Sequence, residues 1–475
     1  MKNNAATLFL RQLSAAFLLL SWTTANADVT LPKVIGSNMV LQRDLSVPIW
    51  GWAEEGEKVT VSFAGQTKMT ETGKNGKWMV KLDKLKASPK PAKLTIKGKN
   101  EITVENILVG EVWICSGQSN MEWSIRQSAN AKEEIAASDH PNIRLFNVPG
   151  HTTSPLPKEK GAGSWQVCSP KTSSGFSAVG YYFGRRLQKE LNVPIGLIGS
   201  NWGGTRIEPW TTLVGFQSVP ELSKIAQQVK GYKENTRVGG GTPAAIYNSM
   251  VHPLTPFAMR GAIWYQGESN GGEHMTYYHK KHALVKGWRK AFQNKDLGFY
   301  WVQLANFRQP NKNPAGGDGW AKIREAQTKA LDIPHTGMAV AIDLADAHNP
   351  NDIHPRNKQV VANRLARLAL AKDYGMKLQA ESPRFKSMET KGEQIVISFD
   401  HVGTGLYTFD VREPTGFAIC GKDKKFVWAK AKLWGKDKVV VWADGIKEPI
   451  AVRYAWSNNP VCNLYGKAGS VTLPA

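Results

Sequence analysis

Cysteine is scarce in this sequence. Four are spread through 475 residues, at positions 115, 168, 420 and 462, and no two are spaced as a metal-binding pair. A chain of this size does not depend on disulfides for its stability. Cys115 lies inside an apolar run, where a buried free thiol is expected. Long apolar runs are also missing. After residue 30 nothing approaches the roughly 20 residues that a spanning helix needs, which excludes a membrane span there. Acidic residues are few, 39 against 61 Lys and Arg, so the net charge is +22. That excess comes without an arginine-rich arm, a basic helix or a nucleic-acid motif, which argues against nucleic acid as the partner. Spread over a surface, it would suit acidic glycans or an anionic envelope. Internal repeats and low-complexity tracts are absent too.

What remains is an ordinary globular composition, 41% hydrophobic and 21% charged. At roughly 100–200 residues per domain, two to four domains are expected. Residues 1–27 read as a signal peptide. Lys2 and Arg11 precede the mostly apolar run Leu13–Leu20, and Ala25-Asn26-Ala27 is a small-x-small cleavage signature. The expected location is therefore periplasmic or secreted.

Three patterns follow. From residue 28 to 106, short alternating runs such as Lys58–Phe63 and Lys77–Val80 are separated by glycine turns, as in a small β-sandwich. From 107 to 375, continuous apolar runs alternate with helical stretches. The runs are Ile107–Ile114, Ile143–Val148, Ile195–Ile198, Gly261–Trp264, Phe299–Leu304 and Met338–Ile342. The helical stretches include Val179–Leu191 and Lys358–Ala371. Buried strands alternating with helices predict an α/β domain, a mostly parallel sheet covered on both faces in three αβα layers. Ligands of such sheets sit beyond the carboxyl ends of the strands. From 376 to 475 the strand pattern returns as a second β-sandwich-like region.

Four segments at strand ends carry polar residues suited to chemistry. Gly117-Gln118-Ser119-Asn120 follows the first buried strand and precedes a helix-compatible stretch, Ser124–Ala137. Ser119 there is either a helix cap or a nucleophile whose own N–H can face an oxyanion. Asn201-Trp202-Gly203-Gly204-Thr205 offers paired glycines whose N–H groups can approach a ligand, or a plain turn. In Trp264-Tyr265-Gln266-Gly267-Glu268-Ser269-Asn270, the Gln266 amide could donate to an oxyanion and Glu268 could orient it. Asn351-Asp352-Ile353-His354-Pro355 supplies a histidine able to shuttle a proton and a carboxylate able to hold its tautomer. Asp343, Asp346 and His348 lie close upstream, but no helix-spaced ligand pattern supports a metal site. His279 and His282, three apart on a helix, read as surface residues.

These segments carry a resemblance. The sequence resembles the sialate O-acetylesterase family, a branch of the SGNH hydrolases. The matching blocks are Met39–Arg43, Gly110–Glu122, Trp202–Thr205, Trp264–Asn270, Asp352–Pro355 and Val452–Trp456. The resemblance implies Ser119 as nucleophile and His354 as base. It implies the N–H groups of Ser119 and Gly204 in the oxyanion hole, with Gln266 as third donor. One position departs: the acid commonly stands three residues before the histidine, where this sequence has Asn351. Either Asp352 completes a triad or a backbone carbonyl orients His354 in a Ser-His dyad. The substrate implied is an O-acetylated carbohydrate, O-acetylated sialic acid first and acetylated xylan or xyloglucan as the alternative, with no cofactor or metal. Gln118, Asn120, Gly203, Arg206 and Glu268 are further candidates near substrate. Arg206 could meet a sialate carboxylate or pair with Glu208. Trp123, Trp202, Trp210 and Trp264 could stack on sugars or fill the core. A reading of another class is a glycan-binding protein with a silent central domain.

Overall fold

The structure, a computed structural model, describes residues 28–316, 319–346, 349–469 and 471–475, the side chains of residues 471 and 472 excepted. The signal segment 1–27 and His348 lie outside the described residues. The strand Glu101–Gly117 is the axis of the fold. Its first part alternates in burial, and from Ile107 onward every residue is buried. The change from alternating to continuous apolar sequence follows that change in surroundings. Early in the strand the partner is the antiparallel Ser88–Lys97. Later it pairs in parallel with Ile195–Asn201 on one side and Gly261–Tyr265 on the other. One strand thus runs through residues 106 and 107 and joins the N-terminal β-region to the central layer.

The central strands lie in the order Thr336–Ala339, Gly298–Val302, Gly261–Tyr265, Glu101–Gly117, Ile195–Asn201, His140–Asn147, Trp165–Cys168. All neighbours are parallel except the last pair. The chain first fills one side of Glu101–Gly117, laying down the adjacent strand Ile195–Asn201 last, and then builds outward on the other. The carboxyl end of that strand is therefore a switch point, where loops from both halves converge. Aromatic residues anchor helices on each face. Trp113 meets Phe183 of helix Ala178–Leu191 edge-on at 5.0 Å. Trp264, on the opposite face, meets Trp288 of helix Met275–Ala291 at 6.0 Å. Helix Lys358–Lys372 packs beside Ala178–Leu191. The observed strands end a little earlier than the apolar runs suggest: Gly298–Val302 and Thr336–Ala339. The helix expected over Ser124–Ala137 is broken into the 3₁₀ turn Ile125–Gln127 and the helix Ala131–Ala136. The left-handed Asn130, at φ +56°, separates them.

The C-terminal region forms a four-stranded sheet, Arg384–Lys391 to Trp434, and two three-stranded sheets around its own core of Ile395, Phe417, Val439 and Val441. All four cysteines are free, and Cys115 is buried.

The block Met39–Arg43 has a structural purpose. Glu111 is fully buried in the axial strand. Its carboxylate accepts from Gln42 Nε2 at 2.8 Å, Arg43 Nε at 2.5 Å and Arg260 Nε at 3.0 Å. It therefore clamps the N-terminal β-region to the central layer. Glu111→Ala is expected to cost about 3–5 kcal/mol, because two half-buried guanidiniums lose their counter-charge. Denaturant unfolding checks this. A loss below about 1 kcal/mol, the scale of an exposed pair, would assign the junction to its apolar contacts instead.

Lys281 is the opposite case. It is fully buried, and its Nζ has no hydrogen-bond partner among the described residues. The rings of Trp301, Tyr277 and Trp264 stand 5.2–5.4 Å from it. Burial pushes its ammonium well below the ordinary lysine range. The unfolded chain keeps that proton while the folded chain resists it, so the penalty grows as pH falls from the unfolded lysine value toward the folded one. Lys281→Met is expected to stabilise the protein by about 1–3 kcal/mol. The gain in melting temperature should be larger at about pH 6 than at about pH 9. Equal or negative shifts at both would show that the aromatic cage holds a stable cation.

Candidate active site

Ser119 stands directly beyond the axial strand. Gly117 permits the bend: its φ is +141°, and a Cβ there would lie 2.1 Å from the Tyr265 carbonyl oxygen. Ser119 opens the one-turn helix Ser119–Glu122. The cap position of that helix falls on Gln118, so Ser119 is its first residue rather than its cap. Ser119 Oγ lies 2.9 Å from His354 Nε2, across 235 residues of sequence.

His354 arrives from the far edge of the sheet on a long loop after Thr336–Ala339. Three contacts hold that loop. Asn120 Nδ2 donates to the Ile353 carbonyl at 3.0 Å. Arg308 N–H donates to the Pro350 carbonyl at 2.7 Å, and Ala129 N–H to the Arg356 carbonyl at 2.9 Å. The imidazole stacks on Trp123, 4.6 Å between ring centres and 17° between planes. Asp352 Oδ1 accepts from the His354 backbone N–H at 2.9 Å and stands 3.4 Å from Nδ1. A proton on Nδ1 would face that carboxylate and leave the Nε2 lone pair toward Ser119. Burial, then the nearby Lys358, holds the imidazole below the ordinary histidine range, with Asp352 opposing them.

The glycine pair lies against the serine. A Cβ on Gly203 would come within 3.3 Å of Ser119 Cβ. The Gly203 N–H is taken by Glu122 Oε2 at 2.7 Å. Gly204 adopts φ +74°, which an L side chain resists. Among the described residues no protein acceptor takes the N–H of Ser119 or of Gly204. Those two donors are available to an oxyanion beside Ser119.

Other expected residues hold the scaffold. Gln266 is fully buried. Its Nε2 donates to the Thr205 carbonyl at 3.2 Å and to Asn270 Oδ1 at 2.7 Å, while Tyr277 OH donates to its Oε1 at 3.0 Å. Its amide is committed on both sides, so it braces the glycine loop rather than offering a third oxyanion donor. Glu268 does not orient Gln266: its Oε1 accepts from Asn120 at 2.7 Å. Gln118 Oε1 accepts from Ser269 N–H at 3.2 Å. Arg206 pairs with Glu208 and Glu273 and donates to the Ser269 carbonyl at 3.1 Å. Asp343 is gripped by both terminal nitrogens of Arg364 at 2.7 Å. His279 and His282 are partly buried and paired with Glu221 and Asp332 rather than simply exposed. Trp210 and Trp264 are core residues, whereas Trp202 is half-buried and stacks on His151 at 4.8 Å.

Sequence reasoning missed four neighbours: Trp123 as the platform under His354, Lys358, Glu122 and His151. Glu122 stood inside the longest motif block and could have been singled out there. His151 Nε2 meets the Glu122 carboxylate at 2.6 Å, and nothing local in the sequence marks it. Two grooves of about 540 and 460 Å³ border the C-terminal region, and neither is lined by Ser119 or His354. Cavity size alone would have pointed away from the serine.

Comparison with known proteins identifies relatives over nearly the whole chain. Residues 109–371 match the family described as carbohydrate esterase, sialic acid-specific acetylesterase. The human sialate O-acetylesterase is 30% identical over 96% of this chain and 94% of its own length. The mouse sialate O-acetylesterase is 30% identical over 95% and 94%. The crystal structure of a carbohydrate acetylesterase from Xanthomonas citri superposes with a TM-score of 0.83, at 36% identity, covering 93% of this chain and 97% of that one. The chain belongs to the sialic acid-specific acetylesterase family of carbohydrate esterases.

Proposed function

We propose that the protein is a serine carboxylic ester hydrolase that releases acetate from O-acetylated sugars, O-acetylated sialic acid foremost. The observation that carries the chemistry is the 2.9 Å contact between Ser119 Oγ and His354 Nε2, beside two uncommitted N–H groups. Ser119 Oγ attacks the acetyl carbonyl and its proton passes to His354 Nε2. The oxyanion is held by the N–H groups of Ser119 and Gly204, each such donor typically worth about 2.7–4 kcal/mol at the transition state. The C–O bond to the sugar breaks as His354 returns the proton to the leaving oxygen. Water then gives a proton to His354 and attacks the acetyl-serine, freeing acetate and restoring the Ser119 hydroxyl.

The substrate assignment is supported by the names of the mammalian relatives, the sialate O-acetylesterases. Export through the 1–27 segment, and β-sandwich-like regions over 28–106 and 376–475 flanking a hydrolase domain, complete the reading. Acetate release tests it, on O-acetylated sialic acid, acetylated xylan and a small activated acetyl ester in parallel. The sialate is expected to turn over fastest. Faster release from xylan would reassign the substrate, and no release from any ester would overturn the esterase reading in favour of a glycan-binding protein.

A further inference from the structure

Asn120, the residue after the serine, joins four segments with one amide. It is buried. Its Nδ2 hydrogens go to Glu268 Oε1 at 2.7 Å and to the Ile353 carbonyl at 3.0 Å. Its Oδ1 accepts from Lys358 Nζ. Both N–H groups and the carbonyl oxygen of the amide are engaged, so three partners together fix its orientation. Lys358, at the start of the helix that follows His354, is 1% exposed. Its Nζ stands 5.6 Å from the Trp123 ring centre and 5.5 Å from that of Tyr265. Trp123 is the indole on which His354 stacks. Glu268, also buried, has one carboxyl oxygen without a hydrogen-bond partner among the described residues.

A buried lysine is costly, and a methionine would fill the same space. We propose that Lys358 is a positioning residue for the esterase reaction: through Asn120 it locks the His354 loop against Ser119, and its cation stands over the same indole on which His354 stacks. The proposal rests on the esterase reading above. The groups facing His354 are Asp352 from its own loop, Lys358 and Ser119. Those facing Lys358 are Glu268, Asp352, the Tyr265 phenol and His354. Burial pulls the Lys358 ammonium down to about 7, with Glu268 and Asp352 opposing. Lys358 is therefore charged on the acid side of neutrality, where His354 would otherwise take up a proton, and there it opposes that protonation. Burial raises the Glu268 carboxyl above its ordinary range.

The test uses the full chain with Lys358→Met and Lys358→Gln, assayed on a small activated acetyl ester. Lys358→Met is expected to lower kcat roughly 10- to 100-fold, the scale of a slightly misplaced catalytic group, with KM nearly unchanged. The acid limb of the kcat/KM profile should move to higher pH. Lys358→Gln keeps a donor for Asn120 Oδ1 and loses the cation. It is expected to keep most of kcat yet still move the acid limb, and it serves alone if Lys358→Met does not fold. A drop in melting temperature with kcat and the acid limb unmoved would overturn the proposal. If the parent protein hydrolyses no ester, the esterase reading fails separately. The His354 titration by NMR, assigned against His354→Gln, still decides the electrostatic half: an upward shift on losing Lys358 supports it and no shift overturns it.

Discussion

Ser119→Ala is expected to lower acetate release by about 10⁶-fold, the scale seen when a serine nucleophile is removed from a hydrolase whose oxyanion donors remain. The N–H groups of residues 119 and 204 survive the substitution, so a residue of catalysis over bulk water persists. The fold should hardly notice. Ser119 is half-buried, and its hydroxyl contacts His354 rather than capping its helix. Stability should change by no more than about 1 kcal/mol, the net worth of one hydrogen bond. Parallel assay of turnover and melting temperature separates the two effects. Loss of both together would mean that position 119 supports the fold.

Asp352→Asn is expected to lower kcat by about 10²- to 10⁴-fold, the upper value being that of an aspartate lost from a triad with geometry intact. Asp352 Oδ1 faces Nδ1 at 3.4 Å and favours a proton there. An asparagine amide can present an N–H instead, which favours the tautomer with the ring proton on Nε2 and leaves Ser119 without a base. Among the influences on His354, Asp352 raises its proton affinity. The acid limb of the surviving activity should therefore move to lower pH, opposite to the shift expected for Lys358→Met. Near-normal turnover would assign the site to a Ser-His dyad oriented by a backbone carbonyl.

The sequence shows clearly where strands change surroundings, because burial on both faces demands uninterrupted apolar residues, as from Ile107 to Cys115. It also shows Ser119, the glycine pair and His354, since each follows such a run or precedes a helix. What it hides is how side chains are spent. Gln266 and Glu268 look alike as polar residues beside Gly267, yet one braces the Thr205 carbonyl and the other holds Asn120. Hydrogen bonds between residues 61 and 148 positions apart leave no local pattern. The sequence separation likewise conceals Lys358. On a helical wheel it is an ordinary first-turn lysine, and only packing against Trp123 and Tyr265 buries it. The Gln42–Glu111–Arg260 clamp explains why a motif far from the chemistry resembles the family: it seats the N-terminal region on the axial strand.

The most direct test of the central claim is labelling with a fluorophosphonate, which reacts with an activated serine and stays attached as fluoride leaves. Peptide mass spectrometry of the labelled protein should find the phosphonyl group on Ser119 alone, with labelling lost in Ser119→Ala and strongly slowed in His354→Ala. Label on another serine, or equal labelling with and without His354, would contradict a nucleophile at Ser119 activated by His354.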